Sequence, residues 1–324
     1  MNFLKNKSIL ITGGTGSFGQ ACVEYLIKKS NLRKIIIYSR DEMKQYSMQK
    51  KFKSNKLRFL IGDVRDQSRL RLALKDVDYV IHAAALKHVP VAEYNPLEFI
   101  KTNIYGSNNI VQSSIDANVK RVIALSTDKA VNPINLYGAT KLCSEKIFTN
   151  ANAMSGRGTR FSVVRYGNVI NSRGSIVPMI RNLKRENINE VPLTDERMTR
   201  FFIKLNDAVI FVLKCLEQMV KGEIFVPKMP SIKITKLIQA INPKAKMKKI
   251  GIRPGEKINE LLISGDESFN AYEFKSYYVI LPNNSQYKQK EYKIFKKGKA
   301  VKHGFIYSSK ENKFLSTQEI KKLI

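Results

Sequence analysis

Cysteine and histidine are scarce in this chain, and tryptophan is absent. The 324 residues include three Cys and three His. Cys22, Cys143 and Cys215 lie far apart with no Cys-x-x-Cys spacing, which excludes a disulfide framework and a paired-cysteine metal or redox site. His82 and His303 are isolated and lack the spacing of metal ligands, so we expect no bound metal. This composition fits a reducing compartment, and we expect a cytoplasmic protein.

Long apolar stretches are also missing. No run approaches the roughly 20 consecutive apolar residues that a membrane span requires. The first apolar run is too short for a secretory signal and leads directly into a glycine motif, so we expect no leader. Hydrophobic residues nevertheless make up 43% of the chain. Burial of that much apolar surface can offset the entropy lost on ordering, which excludes a disordered chain.

Acidic residues are few relative to basic ones. The chain has 57 Lys and Arg against 27 Asp and Glu, which gives a formal charge of +30. Such a charge suggests nucleic acid or an anionic membrane as a partner. The excess is spread along the whole chain, however, and consists mostly of Lys. Drift toward AT-rich codons produces the same mixture on solvated surfaces, so we expect neither partner.

Short apolar runs alternate with helical segments in the first half of the chain. Runs rich in β-branched residues occupy 8–12, 34–39, 57–63, 78–83, 121–127 and 160–164, and helices are predicted over 18–29, 69–75, 103–118 and 139–153. The runs are continuously apolar rather than alternating, which predicts strands buried on both faces. This series predicts an α/β fold with a Rossmann-type doubly wound parallel sheet.

A glycine motif follows the first predicted strand. Gly13, Gly16 and Gly19 have the spacing GxxGxxG, and a helix is predicted directly after them. Glycines at these points allow a tight turn, let backbone N–H groups approach a pyrophosphate and let the helix pack against the strand. The helix N-terminus then faces the phosphates. The motif therefore predicts a dinucleotide site.

The end of the second strand bears on the choice between NAD and NADP. A chain that prefers NAD places an acidic side chain there, about 20 residues past the glycines. Ser39 and Arg40 occupy this tip and suit a 2′-phosphate, which favours NADP, while Asp41 keeps NAD open. The expected cofactor residues are Gly13, Thr15, Gly16, Ser17, Phe18, Gly19, Ser39, Arg40, Asp41, Lys44, Asp63, Val64, Ala83, Ala84, Ala85, Lys87, Asn103, Tyr137 and Lys141.

The predicted chemistry is carried by four residues that come after the fifth strand, Asp128, Lys129, Tyr137 and Lys141. Tyr137 and Lys141 lie four apart, on one face of a helix. A cation beside a phenol lowers the phenol pKa and makes it a base for a sugar hydroxyl. Asp128 and Lys129 supply the second acid and base that elimination of water requires, which a plain epimerase does not need. A structural salt bridge between these two residues is the alternative.

Together these motifs resemble the extended short-chain dehydrogenase/reductase family, whose sugar-nucleotide branch includes epimerases, dehydratases and reductases. Over nearly the whole chain, the resemblance is to inverting UDP-N-acetylglucosamine 4,6-dehydratases, through residues 9–19, 87–90, 93–96, 126–129, 165–168, 198–200 and 251–256. It implies a soluble, usually hexameric enzyme that opens the pseudaminic acid pathway, which supplies glycans for flagellins and other bacterial surfaces.

The resemblance also implies roles for the catalytic residues. Lys129 would be the base at C5 and Asp128 the acid at C6, while Tyr137 and Lys141 act at C4 beside Thr127. Hydride leaves C4 for NADP and returns to C6, and reprotonation of C5 on the opposite face inverts that centre. The product would be UDP-2-acetamido-2,6-dideoxy-β-L-arabino-hex-4-ulose.

Other functions of the same fold stay open. Retaining nucleoside-diphosphate-glucose dehydratases carry Asp-Glu where this chain has Asp128 and Lys129. Membrane-anchored N-acetylglucosamine dehydratases typically have methionine where this chain has Tyr137, and they add transmembrane helices. A retaining 4,6-dehydratase, a UDP-sugar 4-epimerase and a non-catalytic NADP- or RNA-binding module are therefore the alternatives.

A UDP-sugar carries two phosphates and a uracil, so the substrate side should supply Arg, Asn and small polar groups. Arg binds phosphate bidentately, although each candidate Arg could equally be a surface charge. The expected substrate residues are Lys87, His88, Thr127, Asn168, Arg173, Ser175, Thr194, Arg200, Arg253 and Glu256.

Beyond residue 170 the predicted segments shorten and prolines accumulate, with a helix over 206–219 and a strand over 223–226. We expect an NADP-binding domain with the catalytic residues over 1–170 and a smaller α/β substrate-binding lobe over 171–287. A Lys-rich C-terminal segment over 288–324 would be either an extended surface segment or an oligomer contact.

Overall fold

The computed structural model describes residues 1–156, 158–283 and 292–324. Its central sheet contains the mutually parallel strands β1 (Ser8–Thr12), β2 (Lys34–Ser39), β3 (Leu57–Ile61), β4 (Tyr79–His82), β5 (Arg121–Thr127), β6 (Arg160–Tyr166) and β10 (Ile224–Pro227). One edge continues with the antiparallel strands β15 (Tyr277–Ile280), β14 (Ala271–Glu273) and β16 (Lys299–Ala300). The described strands therefore lie in the order β16-β14-β15-β10-β6-β5-β4-β1-β2-β3.

The strand order reverses beside β1, which pairs with β2 on one side and β4 on the other. In an open parallel sheet, ligands bind in the crevice outside the carboxyl ends of the strands at this point. The predicted Rossmann-type doubly wound sheet is confirmed, and the topology locates a crevice at the tips of β1 and β4.

Helices cover both faces of the sheet. One face carries α1 (Ser17–Lys29), α2 (Glu42–Lys51) and α9 (Leu205–Gln218), and the other carries α3 (Gln67–Ala73), α6 (Gly106–Asp116) and α7 (Leu136–Ser155). Along β1, Ile9 and Ile11 pack into one apolar cluster and Leu10 packs into the other. Burial on both faces explains why the strands are continuously apolar in sequence.

The boundaries of the elements differ from the predicted ones in a few places. The third strand ends at Ile61 rather than residue 63, and β6 continues to Tyr166. The helix predicted over 103–118 is a π-helical segment, Ile100–Tyr105, followed by α6. The short helices α4 (Val89–Tyr94) and α5 (Pro96–Phe99) lie between β4 and this segment.

A smaller lobe packs beside the sheet and has its own apolar core. It contains the three-stranded sheet of β7 (Asn168–Val169), β9 (Thr199–Ile203) and β11 (Ser231–Lys233), and the pair of β8 (Glu190–Leu193) and β12 (Lys246–Lys249). Helices α8 (Ile176–Arg185), α10 (Ile234–Ile241) and α11 (Thr317–Leu323) enclose its core. The predicted α/β lobe is confirmed, and its exact boundaries stay a prediction.

The Lys-rich C-terminal segment is built into the rest of the chain. β16 joins the central sheet, β17 (Tyr307–Ser308) pairs with β13 (Leu261–Ile263), and α11 packs against α10. The predicted segment boundary at residues 287 and 288 lies outside the described residues. Short 3-10 helices occur at Asn2–Leu4, Asp128–Ala130, Asp266–Asn270 and Phe295–Lys297.

Within the described ranges, no helix has the length and apolarity that crossing a bilayer requires. In the same residues, no group of three or more His, Cys, Asp or Glu side chains is arranged to hold a metal ion.

Candidate active site

A cavity of about 610 Å³ opens at the carboxyl ends of the parallel strands. Its wall includes every predicted cofactor residue except Asn103. It also includes Thr127, Lys129, Tyr137 and Lys141 from the predicted catalytic set, and Lys87, His88, Thr127, Asn168, Arg173 and Ser175 from the predicted substrate set. The topology therefore brings residues from both halves of the chain to one cleft.

The glycine loop has a shape that suits a dinucleotide. Gly13 has φ +64°, and a Cβ there would lie 2.9 Å from Ala84 Cα at the tip of β4. A Cβ on Gly19 would collide with the backbone of Gly14. Gly16 precedes α1 without a capping side chain, so the first N–H groups of that helix remain available to an anion. These residues fit the pyrophosphate of a nicotinamide dinucleotide.

The tip of β2 carries charges of both signs. Asp41 caps α2 by accepting from Lys44 N at 2.9 Å, and its carboxylate also pairs with the Lys44 ammonium. Arg40 is half exposed, with Nη1 3.7 Å from Asp63 Oδ2. Asp63 is in turn bound by Arg65, whose Nη2 lies 2.6 Å from Oδ2. Both carboxylates at this tip are thus engaged by protein cations.

The turn after β5 presents an acid and an amine side by side. Thr127 Oγ1 donates to Asp128 Oδ1 at 2.9 Å, and Lys129 Nζ donates to the same oxygen at 3.0 Å. Asp128 is fully buried beneath the cavity wall, whereas Lys129 lines the cavity. A Cβ on Gly138 would collide with the Lys129 carbonyl oxygen, so this glycine lets α7 pack directly against the turn.

Tyr137 and Lys141 lie buried on α7 and both line the cavity. The helix begins at Leu136 because Asn135 caps it, accepting from Gly138 N at 2.7 Å. The boundary predicted at residue 139 is therefore three residues late.

The expected depression of the Tyr137 pKa by Lys141 is wrong for this structure. Burial raises the pKa of Tyr137 to about 12, against the lowering effects of the Lys129 charge and the Thr127 hydroxyl. Burial also lowers the pKa of Lys141 to about 8, partly offset by Glu145. Desolvation outweighs charge here because both side chains are almost completely removed from water.

Glu260, which is not among the predicted site residues, lies beside the Lys129 ammonium. Its Oε1 is 3.2 Å from Lys129 Nζ and 3.7 Å from Arg200 Nε. Burial lowers the pKa of Lys129, but the Asp128 and Glu260 carboxylates outweigh it and hold that pKa well above its ordinary value. Glu260 stands 131 residues from Lys129 in no recognisable motif, so only the fold reveals the contact.

Three of the substrate-side residues in the wall, Asn168, Arg173 and Ser175, follow β6, and Arg173 contacts the start of α1 beside the glycine loop. Arg173 N donates to Ser17 Oγ at 3.2 Å, and Lys87 Nζ donates to the Arg173 carbonyl at 3.3 Å. Asn168 begins β7 and Ser175 precedes α8. These contacts join the two sides of the cleft across its mouth.

Besides Asp128, which lies beneath the cavity wall, five predicted site residues are not part of that wall. They are Asn103, Thr194, Arg200, Arg253 and Glu256. Asn103 is buried, exchanging two hydrogen bonds with the backbone of Leu86 and donating to Thr140 Oγ1 at 3.0 Å. It orders the backbone behind the cavity, and its contact with a cofactor stays a prediction.

Arg200 is also buried, and its guanidinium donates to the carbonyls of Thr199, Lys257 and Ile258. Arg253 pairs with Glu256 at 3.6 Å on a turn held by Asn135 Nδ2, which donates to the Gly255 carbonyl at 2.7 Å. The roles of Arg200, Arg253, Glu256 and Thr194 toward a substrate stay predictions.

Residues 9–282 match the family model described as "Polysaccharide biosynthesis protein". A Campylobacter jejuni protein named UDP-N-acetylglucosamine 4,6-dehydratase (inverting) is 55% identical over 311 residues, covering 94% of this chain and 93% of that protein. A Rickettsia bellii protein named UDP-glucose 4-epimerase is 41% identical over 328 residues, covering 98% and 95%.

Solved structures have the same fold. Pen from Bacillus thuringiensis superposes with a TM-score of 0.90 at 36% identity and covers 99% of this chain and 98% of that one. The dTDP-glucose 4,6-dehydratase DesIV from Streptomyces venezuelae, solved with NAD bound, has a TM-score of 0.71 at 21% identity, with coverage of 78% and 86%. The chain belongs to the polysaccharide biosynthesis protein family, and within it to the group of the inverting UDP-N-acetylglucosamine 4,6-dehydratases.

Proposed function

We propose that this protein is an NADP-dependent UDP-N-acetylglucosamine 4,6-dehydratase that inverts C5. The observation that carries the proposal is the contact between Asp128 and Lys129, 3.0 Å apart at the wall that also holds Tyr137 and Lys141. An epimerase requires no second acid and base at this position. The named activity of the Campylobacter jejuni relative supports the same substrate and the same reaction.

NADP, when bound, supplies the oxidation at C4 and the reduction at C6. The glycine loop would hold its pyrophosphate, and the tip of β2 would hold its 2′-phosphate. The state of Asp41 supports NADP over NAD, because this carboxylate caps α2 and pairs with Lys44. Arg40 is half exposed at the cavity wall and provides a cation for the phosphate.

The four catalytic side chains divide the proton transfers. Tyr137 must be a phenolate to take the proton of the C4 hydroxyl. Against the effect of burial, the Lys129 charge and the Thr127 hydroxyl lower its pKa, and Lys141 lies one turn further along α7 to stabilise the phenolate charge. Transfer of one proton from Lys129 Nζ to Asp128 Oδ1, along their hydrogen bond, creates a neutral amine and a carboxylic acid. The amine accepts the C5 proton, and the acid protonates the C6 hydroxyl as it departs as water.

After elimination Lys129 is again an ammonium and Asp128 a carboxylate, as they began, while Tyr137 holds the proton of the C4 hydroxyl. Transfer of that proton from Tyr137 to C5, together with hydride return to C6, balances the cycle. Thr127 Oγ1 donates to Asp128 Oδ1 and orients that carboxyl group. Inversion then requires C5 to be reprotonated on the face opposite to the one from which its proton left. Lys87, His88, Asn168, Arg173 and Ser175 line the cavity and would bind the UDP-sugar. Thr194, Arg200, Arg253 and Glu256 stay candidates for further contacts with it.

Mass spectrometry of the purified protein incubated with UDP-N-acetylglucosamine tests the proposal. We expect a product lighter by one water. NMR of the product formed in heavy water should show deuterium at C5 and inverted configuration at that centre. Unchanged mass with altered C4 configuration would instead identify a 4-epimerase, and retention at C5 would identify a retaining dehydratase.

Cofactor choice is tested separately by calorimetric titration with NADP and with NAD. We expect tighter binding of NADP, and we expect Arg40→Ala to weaken NADP by roughly tenfold while leaving NAD nearly unchanged. Arg71→Ala is the matched control, since Arg71 is an exposed arginine paired with Asp116 away from the cavity. Equal affinities for the two cofactors would contradict the proposed role of Arg40.

The second candidate is a UDP-sugar 4-epimerase. The observation that favours it is the named activity of the Rickettsia bellii relative, which matches nearly the whole chain. A non-catalytic RNA-binding role finds less support, because the +30 charge is spread along the sequence rather than concentrated.

The cellular setting of the enzyme is also a proposal. We propose that it works in the cytoplasm as a homohexamer, at the first step of pseudaminic acid biosynthesis and hence of flagellin glycosylation. Residues 1–170 would form the cofactor domain and residues 171–287 most of the substrate-binding lobe. The resemblance to inverting dehydratases is what supports this setting.

A further inference from the structure

Glu260 is held in place by the backbone around it. Its backbone N donates to Ser309 Oγ at 2.9 Å, and its carbonyl accepts from Ser309 N at 2.8 Å. It directly precedes β13, which packs against the 3-10 turn that carries Lys129. The position of the Glu260 side chain is therefore set by the fold, from a part of the chain remote from β5.

The carboxylate of Glu260 is buried, and its two oxygens have different surroundings. Oε1 lies 3.2 Å from Lys129 Nζ and 3.7 Å from Arg200 Nε, whereas Oε2 has no hydrogen-bond partner among the described residues. The Arg200 guanidinium is largely occupied by three backbone carbonyls. A buried carboxylate with one oxygen lacking a hydrogen bond needs a nearby cation to stabilise its charge, and Lys129 is nearer to it than Arg200.

We propose that Glu260 is a positioning residue for Lys129, holding its ammonium group opposite Asp128 and setting its charge before the reaction. The inference rests on the proposed function, in which Lys129 must become neutral to accept the C5 proton. A hydrogen bond to Asp128 and an ion pair with Glu260 together fix the ammonium at the cavity wall. Asp128 exchanges the proton, while Glu260 stays a carboxylate and keeps Lys129 protonated until that exchange.

The charge around Lys129 predicts the sign of the effect. The groups that face it are the carboxylates of Asp128 and Glu260, the Tyr137 phenol, the Arg200 guanidinium and, further away, the Lys257 ammonium. Glu260→Gln removes one negative charge and keeps the shape of the side chain. The neutral amine then forms at lower pH, so the acidic limb of the kcat profile should move to lower pH.

Reductive methylation of Lys129, measured by peptide mass spectrometry across pH, tests this directly, because only the neutral amine reacts. We expect the midpoint for Lys129 to fall by about one pH unit or more in Glu260→Gln, with roughly tenfold faster modification below that midpoint. In steady-state assays the acidic limb of kcat should shift in the same direction with little change in KM.

Glu223→Gln is the matched control. Glu223 is also a fully buried carboxylate, but it accepts from Ser162 near the amino end of β6, at the opposite end of the sheet from Lys129. In Glu223→Gln we expect the pH midpoint of Lys129 methylation to equal that of the wild type. A midpoint that is the same in wild type and Glu260→Gln would overturn the inference, as would an equal shift in Glu223→Gln.

Two further measurements keep the test decisive if Glu260→Gln does not fold. Glu260→Asp keeps the charge but draws it away from Lys129, so we expect a smaller shift in the same direction. In the wild type, Lys129 should be modified at higher pH than exposed lysines such as Lys28, and modification at the same or lower pH would also overturn the inference. Methylation requires no turnover, so absence of dehydratase activity would contradict the proposed function without affecting this result.

Discussion

Two buried ion-pair clusters in this protein have a similar arrangement of charges but differ in their access to the cleft and in their hydrogen bonding. Each centres on one cation between two carboxylates, Arg165 with Glu145 and Glu267, and Lys129 with Asp128 and Glu260. In the second cluster Arg200 also lies 3.7 Å from Glu260. The Arg165 side chain is 1% exposed, whereas the Lys129 side chain is 23% exposed because it faces the cavity. Both clusters therefore bury charge, but only the Lys129 cluster reaches the cleft.

The clusters also differ in how completely their oxygens are bound. Arg165 reaches both oxygens of Glu145, at 2.9 and 2.6 Å, and both oxygens of Glu267, at 2.9 and 2.8 Å. In the Lys129 cluster, Asp128 Oδ2 and Glu260 Oε2 have no hydrogen-bond partner among the described residues. A planar guanidinium can donate to both oxygens of two carboxylates at once. An ammonium leaves some carboxylate oxygens without a hydrogen bond, and their lone pairs can accept a proton.

The two clusters therefore differ in how many of their carboxylate oxygens are hydrogen-bonded, and not in the charges that they contain. The first cluster joins α7 to β6 and to the 3-10 helix at Asp266–Asn270. The second lies at the cleft, where the proposed mechanism has Lys129 and Asp128 exchange a proton. Helix α7 carries Glu145 of the first cluster, and it also carries Tyr137 and Lys141, which line the cleft beside the second.

The strongest test replaces the reactive cation. We expect Lys129→Met to reduce formation of the dehydrated product by about 10²- to 10⁴-fold, because no amine remains to accept the C5 proton. Product is measured by mass spectrometry and folding by urea denaturation. Elimination at the wild-type rate would contradict the role proposed for Lys129.

The corresponding change in the structural cluster should act on stability. We expect Arg165→Met to lower the free energy of unfolding by about 3–5 kcal/mol, because two buried carboxylates lose their common partner. The measurement is urea denaturation beside Arg71→Met, which removes an exposed ion pair and should cost less than about 1 kcal/mol. Equal losses in the two variants would show that the Arg165 cluster is not a special source of stability.

The buried Lys141 predicts a pH dependence of stability. Its pKa falls to about 8 in the folded protein, from an ordinary value of 10.5, because burial disfavours the charged form. The unfolded chain therefore binds more protons between about pH 8 and 10.5, and stability gains up to about 3 kcal/mol as pH rises through that window. Lys141→Met should lack this gain, as measured by urea denaturation of both proteins at several pH values. Parallel curves for the two would contradict it.

The smallest effect is expected at the start of helix α7. Asn135 caps α7 through Gly138 N and holds the Gly255 turn through its amide nitrogen. We expect Asn135→Ala to cost about 1–2 kcal/mol in urea denaturation. Asn135→Asp keeps the cap and loses only the amide donor, so a loss as large as that of alanine would assign the effect to the Gly255 turn.

Much of the fold could be predicted because its signals are local. Continuous apolar runs identify β1, β2 and β5 with their observed ends, and the glycine spacing identifies the turn before α1. One misplaced end also has a local cause. Helix α7 begins three residues earlier than predicted because a single side chain, Asn135, caps it.

The site divides in the same way. Asp128, Lys129, Tyr137 and Lys141 are recognisable from spacing, since two adjacent residues and two residues four apart lie on single elements. The state of these groups is not recognisable, because burial sets the pKa of Tyr137 and Lys141 more than the neighbouring charges do. Arg200 illustrates the limit, since a guanidinium expected at a phosphate is occupied by backbone carbonyls.

By itself the sequence determined the sheet, the dinucleotide loop and the catalytic residue types, because each depends on neighbours within a few positions. The tertiary structure alone decided that Glu260 reaches Lys129 and that Arg165 rather than Lys129 is fully satisfied. Those outcomes depend on which distant segments the folded chain brings within about 3 Å of each other, because hydrogen bonds form only over that range.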